Sequence, residues 1–235
     1  MQLSDFKALS FDCYGTLIDW ETGISEALAP LLERSGASPH ELLEAYGPIE
    51  LGVEHEHPAR PYSQLLEEVH ARLCRQFGVE QNVEEAAAFG ASVGDWPPFP
   101  DSAEALSYLK RHFVLIILSN VDRLSFAGSQ RRLGVEFDHV FTAEDIGSYK
   151  PDLRNFEYLL DELAKEGVDK RELLHVAQSL FHDHVPANRM DIASAWIDRR
   201  AGKSGSGATV FPDPMPHYAF CFTSLAELAE AHKAE

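Results

Sequence analysis

The sequence has few cysteines and no long hydrophobic run. Its 235 residues include three cysteines, Cys13, Cys74 and Cys221, which are too few and too scattered for a disulfide framework or a zinc site. The longest apolar run, Phe113–Leu118, has six residues, far short of the roughly 20 that a membrane-spanning helix needs. The sequence therefore predicts neither a disulfide-rich nor a membrane protein, and we expect this run to be a buried strand.

Basic residues are also scarce, with 20 Lys and Arg against 38 Asp and Glu and a formal net charge of −18. A surface this acidic repels nucleic-acid phosphates and anionic lipids, so we expect neither as a partner. The amino terminus has no basic stretch followed by an apolar segment and a small-residue cleavage site, which predicts a cytoplasmic protein without a secretory signal. An anionic substrate would have to be bound by local positive charge.

Short apolar, β-prone runs alternate with helical patterns in the second half of the chain, which is typical of a parallel sheet wrapped by helices. Residues 20–95 instead show helical spacing and no convincing strand. We therefore predict an α/β core formed by residues 1–17 and 97–235, with residues 18–96 inserted as a helical cap. The six candidate strands are Ala8–Asp12, Val114–Ser119, His139–Thr142, Leu174–Gln178, Ala195–Ile197 and Ala219–Phe222.

The strongest chemical signal is the segment FDCYGTL at residues 11–17, which follows the first predicted strand. Ligands of open α/β sheets bind at the carboxyl ends of the strands, where Asp12 stands. Its carboxyl, with an ordinary pKa of about 3.9, is ionised at neutral pH and can attack carbon or phosphorus without a base. Gly15 lets backbone amides approach the attacked group, and Thr16 adds a hydroxyl donor. The alternative is that Asp12 only caps the turn.

Three later segments place polar residues near the ends of other predicted elements. Ser119 and Asn120 end a second strand, where a hydroxyl and an amide can bind anionic oxygen. Lys150 supplies a cation just before a helix, and Asp183 follows the fourth predicted strand. An ordinary structural ion pair between Lys150 and Asp183 is the alternative interpretation.

These four segments, in this order, resemble the motifs of the haloacid dehalogenase superfamily of hydrolases over nearly all of the α/β part. Segment 148–152 and a helical insert directly after the first motif are most similar to the L-2-haloacid dehalogenase branch. The resemblance implies a Rossmann-like parallel sheet with a helical cap that closes over the site. It also implies four roles: the nucleophile Asp12, the second-motif hydroxyl Ser119, the third-motif lysine Lys150 and the last acid of the fourth motif, Asp183.

Two positions favour a halide over a phosphate ester as the reacting group. Tyr14 stands where phosphatases of the superfamily have a second aspartate that protonates the leaving alkoxide, whereas a halide is a weak base and needs no proton. Gln178 stands where phosphatases have an aspartate, which leaves Asp12 and Asp183 as the charged ligands for magnesium. We therefore predict no metal and no cofactor. Gln178 is equally well explained as a polar strand end without a role.

The resemblance predicts a hydrolase of carbon–halide bonds that acts on a short 2-haloacid. Asp12 would displace halide at C2 with inversion, and water would then hydrolyse the aspartyl ester. Lys150 would keep Asp12 ionised, while Asp183 would orient or deprotonate the water. Two other functions stay open, a magnesium-dependent phosphatase of a small phosphate ester and a catalytically silent binding protein. Hydrogen bonds to anionic oxygen would come from Thr16, Ser119 and Asn120.

Dehalogenases of the resembled branch carry a substrate-binding arginine early in the cap, and this sequence has no arginine near Ala45–Pro48. Arg60 is a candidate replacement, and an exposed surface arginine is the alternative. Apart from the substrate, the expected partner is a second copy of the chain, since a helical cap and an exposed core edge are consistent with a homodimer. The residues expected to contact the substrate are Cys13, Tyr14, Arg60, Gln178, Ser179 and Phe181.

Overall fold

A parallel sheet forms the centre of the computed structural model, which describes residues 1–202, 207–209 and 211–235. Its six strands are β1 (Ala8–Phe11), β2 (Val114–Ser119), β3 (His139–Thr142), β4 (Leu173–Ala177), β5 (Ala193–Ile197) and β6 (Phe220–Phe222). They lie in the order β3-β2-β1-β4-β5-β6. The α/β fold predicted from the sequence is confirmed, and each strand ends within two residues of its predicted bounds.

Helices cover both faces of the sheet and make up the inserted segment. Those between β1 and β2 are α1 (Trp20–Ala27), α2 (Ala29–Ser35), α3 (Pro39–Glu56), α4 (Tyr62–Phe77), α5 (Val83–Ala91) and α6 (Ser102–Leu109). Those after β2 are α7 (Arg123–Leu133), α8 (Ala143–Ile146), α9 (Arg154–Lys165), α10 (Val185–Arg189) and α11 (Leu225–Lys233). Residues 20–91, all of them described, contain five helices and no strand, while the domain boundaries at 17/18 and 96/97 stay a prediction.

The register of the central strands brings the ends of three of them together. Every residue of β1 and β4 is buried, as expected for parallel strands covered on both faces. Phe11, the last residue of β1, pairs with Ile117 of β2 on one side and Val176 of β4 on the other. The residues that follow these strands therefore meet at one edge of the sheet.

The two segments that lead into and out of the inserted helices pair with each other as an antiparallel bridge, Ile18 with Pro98. The backbone N–H of Asp19 donates to the oxygen of Pro97 at 2.8 Å, and that of Phe99 donates to the oxygen of Leu17 at 3.0 Å. In the insert, Ser38 and Glu41 form a reciprocal capping box that begins α3. This fixes the start of the helix that carries the insert's acidic residues toward the sheet.

Gly94 and Gly128 bring the end of the insert into direct backbone contact with α7. A Cβ atom on Gly128 would lie 2.5 Å from the Cα of Gly94, and one on Gly94 would lie 3.1 Å from the Cα of Gly128. These separations leave no room for a side chain at Gly128, because the atom it would meet belongs to the backbone.

We expect Gly128→Ala to lower the free energy of unfolding by roughly 1–3 kcal/mol, because the added methyl group forces two backbone segments apart. Gly52→Ala, within α3, is the matched control: its Cβ would meet nothing closer than 3.9 Å. Alanine is the better helix former, so this control should gain about 0.5–1 kcal/mol. Urea unfolding of both variants measures the difference, and equal stability would contradict the close contact.

A helix that crosses a bilayer must be both long and predominantly apolar. Across residues 1–202, 207–209 and 211–235, no helix combines these two properties.

Candidate active site

Asp12 directly follows β1, and its carboxylate lines a cavity at the carboxyl edge of the sheet. Its backbone N–H donates to the oxygen of Val176 at 3.1 Å, which continues the pairing with β4. Its Oδ2 accepts a hydrogen bond from the Thr16 hydroxyl at 2.8 Å. The chain turns back at Gly15, whose φ of +88° is a left-handed conformation that favours glycine. Both the strand and the turn therefore hold Asp12 in place.

The Lys150 ammonium lies between two carboxylates. Its Nζ donates to Asp12 Oδ1 at 2.9 Å, to Asp183 Oδ1 at 2.7 Å and to the backbone oxygen of Leu118 at 2.8 Å. The side chain is 2% exposed, so its three protons are satisfied by protein acceptors. Asn120 fixes the backbone here, because its Oδ1 accepts from Lys150 N at 2.7 Å and its Nδ2 donates to Lys150 O at 3.0 Å.

Asp183 lies on a single π-helical turn, Leu180–His184, that follows β4. Its Oδ1 is 2.9 Å from Nε2 of His175, a residue of β4, and Nδ1 of that ring is 2.8 Å from the Ser10 hydroxyl of β1. The pair is satisfied when Nε2–H donates to Asp183 and Ser10 donates to Nδ1. A chain of buried hydrogen bonds thus holds Asp183 against Lys150 from the side opposite Asp12.

Burial and charge shift the pKa values of these three groups in different directions. Burial raises the pKa of Asp12, and the charge of Asp183 adds to this rise, while Lys150 opposes it. Burial also acts to raise the pKa of Asp183, but Lys150 and His175 outweigh it and hold this pKa below its ordinary range. Burial acts to lower the pKa of Lys150, and the two carboxylates raise it instead. Asp12 is therefore the carboxylate of the pair that protonates first as the pH falls.

The cavity is small and contains polar atoms ready to bind a ligand. Its volume is about 60 Å³. Ser119 Oγ, His182 Nε2 and Asp183 Oδ2 line it, are buried and have no hydrogen-bond partner within the described ranges. Buried polar atoms are normally paired, so these three are available to bind a ligand.

The structure brings most of the predicted site residues together around this cavity. Those that line it are Asp12, Tyr14, Ser119, Asn120, Lys150, Gln178, Ser179 and Asp183. Thr16 lies beneath them, since its hydroxyl donates to Asp12 and accepts from the backbone N–H of Gln178 at 2.9 Å. The Tyr14 hydroxyl hydrogen-bonds Ser129 at 2.8 Å, and burial raises its pKa well above the ordinary value.

Three predicted substrate contacts lie elsewhere. Cys13 is fully buried in the hydrophobic core, and burial raises the pKa of its thiol. Phe181 lines a neighbouring groove between α3 and the segment that precedes α9, and this groove shares Glu54 and Lys150 with the cavity. Arg60 does not line the cavity; its Nη2 lies 3.3 Å from Nδ1 of His57, and its backbone oxygen accepts a hydrogen bond from Tyr149. The structure therefore shows no contact of Arg60 with the described residues that line the cavity.

The inserted helices contribute acidic and aromatic residues to the cavity. Trp20, which the sequence also offers as an apolar pocket residue or as core packing, lines it. Three residues that the sequence analysis missed also line it: Glu50, Glu54 and Tyr62. Glu50 Oε1 accepts hydrogen bonds from the hydroxyls of Tyr46, at 2.9 Å, and Tyr62. Glu54 lies one helical turn further along, 3.4 Å from Asn120 Nδ2. The four-residue spacing of Tyr46, Glu50 and Glu54 was the available signal, because such residues share one helix face.

A divalent cation does not fit the side chains at this site. Lys150 Nζ already pairs with Oδ1 of Asp12 and with Oδ1 of Asp183, which offsets part of the negative charge that a cation would need. Gln178 adds no charge, and hard cations prefer several oxygen ligands, mostly carboxylates. In the part of the chain that the structure describes, no group of three or more His, Cys, Asp or Glu side chains is arranged to hold a metal ion. We therefore derive no step that uses magnesium.

Comparisons with known proteins agree on one group. The haloacid dehalogenase-like hydrolase family matches residues 6–177. The (S)-2-haloacid dehalogenase 4A of Burkholderia cepacia is 26% identical over 186 residues, which cover 76% of this chain and 78% of that protein. A defluorinating L-2-haloacid dehalogenase superimposes with a TM-score of 0.80 at 20% identity, covering 97% of this chain and 95% of the other. The L-2-haloacid dehalogenase of Xanthobacter autotrophicus with covalently bound chloropropionic acid gives 0.81 at 18% identity, covering 97% and 98%.

Proposed function

The chain belongs to the haloacid dehalogenase-like hydrolases, and from this premise we propose that it hydrolyses the carbon–halogen bond of short 2-haloacids. The membership confirms the resemblance drawn from the four motifs. One observation carries the proposal. The Asp12 carboxylate lines a small cavity and contacts Lys150, and the residue two positions after it is Tyr14 instead of an acid. The small volume favours substrates of a few heavy atoms.

The first step is displacement of halide by Asp12. An oxygen of its carboxylate attacks C2, the carbon–halogen bond breaks, and the halide leaves with the bonding electrons and inversion at C2. Hydrogen bonds from Thr16 and Lys150 fix the carboxylate plane, which favours a single line of attack. The product of this step is an ester between Asp12 and the substrate.

The second step is attack of water on the ester carbonyl of Asp12. Asp183 Oδ2, buried and unpartnered among the described residues, lines the cavity and is available to orient this water. The pKa of Asp183 is held low, which makes its carboxylate a weak base. Asp183 therefore acts by accepting a hydrogen bond that orients the water, and it does not keep the proton that the water loses. Cleavage restores the Asp12 carboxylate; one water proton ends on the product hydroxyl and the other is released to solvent.

Two observations favour a halide over a phosphate ester. Burial raises the pKa of Tyr14 well above the ordinary value, which makes its phenol a poor proton donor to a departing alkoxide. Lys150 also pairs with both carboxylates of the site, and the neutral Gln178 adds no charged ligand for magnesium. A halide requires neither a proton nor a metal to leave.

A single turnover in heavy-oxygen water tests the proposal. With enzyme in excess over 2-chloropropionate, we expect chloride release, label in the peptide that contains Asp12, and lactate without label. Repeated turnovers in the same water should then give labelled lactate and provide the control. Label in lactate from the first turnover would show direct attack by water. Magnesium-dependent hydrolysis of p-nitrophenyl phosphate without chloride release would support the phosphatase, and inactivity in both assays the binding protein.

A further inference from the structure

The wall that α3 contributes to the cavity is acidic. Glu50 and Glu54 line the same cavity as Asp12 and Asp183, and they are 8% and 5% exposed. Lys150 is the one lysine or arginine among the described residues that line it, and its ammonium is already bound by two carboxylates. Among the described residues, the lining of the cavity therefore carries more carboxyl groups than cations.

His182 does not supply the missing positive charge. Burial lowers the pKa of its imidazole to about 4, so the ring is neutral at neutral pH. Its Nε2 lies 3.9 Å from Glu54 Oε2 and has no hydrogen-bond partner in the described ranges. A substrate carboxylate that enters this space thus meets carboxyl groups and neutral donors instead of a free cation.

The two glutamates differ in how well their charge is stabilised. Glu50 Oε1 accepts from two phenol hydroxyls, those of Tyr46 and Tyr62, which favours its ionised form. Glu54 has one long hydrogen bond, 3.4 Å from Asn120 Nδ2. Neighbouring buried carboxyls cannot all stay ionised, so the less stabilised group takes up a proton. That group is Glu54, and its protonated carboxyl is a hydrogen-bond donor.

We propose that Glu54 binds the substrate's carboxylate through a shared proton, in place of the guanidinium that this wall of the cavity lacks. The inference rests on the proposed function, because it assigns the group that recognises the acid end of the haloacid. The bond is a charge-assisted hydrogen bond from the Glu54 carboxyl to the substrate oxygen. Binding of the substrate anion is thereby coupled to the protonation of Glu54.

The electrostatics around Glu54 agree with this assignment. Burial raises the pKa of Glu54 well above the ordinary value, and the charge of Glu50 adds to the rise, whereas Lys150 opposes it. Burial also raises the pKa of Glu50, to about 7. The titratable groups that face Glu54 are Glu50 and Tyr46 on α3, Lys150 and Tyr149 on the segment before α9, and His182 on the π-helical turn.

The pH dependence of KM tests the coupling. Above the pKa of Glu54, KM for 2-chloropropionate should rise by roughly tenfold per pH unit, because each binding event then requires proton uptake. The neutral analogue 2-chloropropionamide has no carboxylate, so its KM should lack this rise. Titration of Asp12 affects both substrates alike and cancels in the ratio of the two KM values between about pH 6 and about pH 9. The part of the remaining pH dependence that a change of Glu54 removes belongs to Glu54.

Glu54→Gln sharpens the test, because the amide donates a hydrogen bond at every pH. In this variant the KM ratio should change with pH much less than in the wild type. Glu44→Gln is the matched control, since it makes the same change at an exposed position of α3 and should keep the wild-type profile. A wild-type KM ratio that is independent of pH overturns the inference, as does an unchanged slope in Glu54→Gln. If neither 2-chloropropionate nor 2-chloropropionamide releases halide, the proposed function is wrong, and the inference with it.

Discussion

Asp12→Asn should abolish halide release, with kcat lowered by roughly 10⁴-fold or more, as is typical when a covalent nucleophile is removed. The amide is a poor nucleophile at carbon and cannot form the ester. We do not expect Asp183 to substitute for it, because Asp183 follows β4 instead of β1 and its Oδ1 is held by Lys150 and His175. Chloride release from 2-chloropropionate, followed by ion chromatography, measures the loss.

The same variant should remain folded, which separates a chemical from a structural effect. Lys150 keeps Asp183 and the backbone oxygen of Leu118 as acceptors when Asp12 is neutral. Asp161→Asn is the matched control, because it makes the identical change on an exposed position of α9 and should retain activity. Retention of more than a small part of the wild-type rate by Asp12→Asn would show that another group attacks the substrate.

The part of the site that belongs to the sheet could be predicted from the sequence. Asp12, Ser119 and Asp183 each follow an apolar run that is recognisable as a strand. In a parallel sheet the carboxyl ends of adjacent strands share one edge, so such residues meet whatever the details of packing. Lys150 could be predicted from its motif. Its contacts with both carboxylates depend on the position of its own backbone, which Asn120 holds through two hydrogen bonds.

The part of the site that belongs to the insert could not be predicted in the same way. Whether Glu50 and Glu54 face the nucleophile depends on the rotation of α3 against the sheet, and that helix carries acidic residues on more than one face. Arg60 lies in the loop after α3, where helical spacing gives no direction to a side chain. The contact of His175 with Asp183 could not be predicted for another reason. His175 lies inside a strand buried on both faces, where the sequence alone indicates only packing.

Lys150→Met should have the second large effect, on both rate and stability. Removing the ammonium leaves Asp12 and Asp183 as adjacent buried carboxylates without a counter-ion, which typically lowers the free energy of unfolding by roughly 3–5 kcal/mol. The pKa of Asp12, already raised by burial, then rises further, so less of it is ionised at neutral pH. We expect kcat near neutral pH to fall by roughly 10²-fold or more, with part of the activity regained as the pH increases.

Stability should change with pH in the opposite sense to activity. A carboxyl whose pKa is higher in the folded than in the unfolded state binds more protons when the protein is folded. Asp12 is such a carboxyl in Lys150→Met, so the free energy of unfolding of this variant should fall as the pH rises. Lys150→Met should therefore unfold at lower urea at about pH 9 than at about pH 6. Lys165→Met, at an exposed position of α9, is the matched control and should match the wild type in both measurements. If Lys150→Met kept the wild-type dependence of kcat on pH, Lys150 would not control the ionisation of Asp12, and its contacts with both carboxylates would be structural.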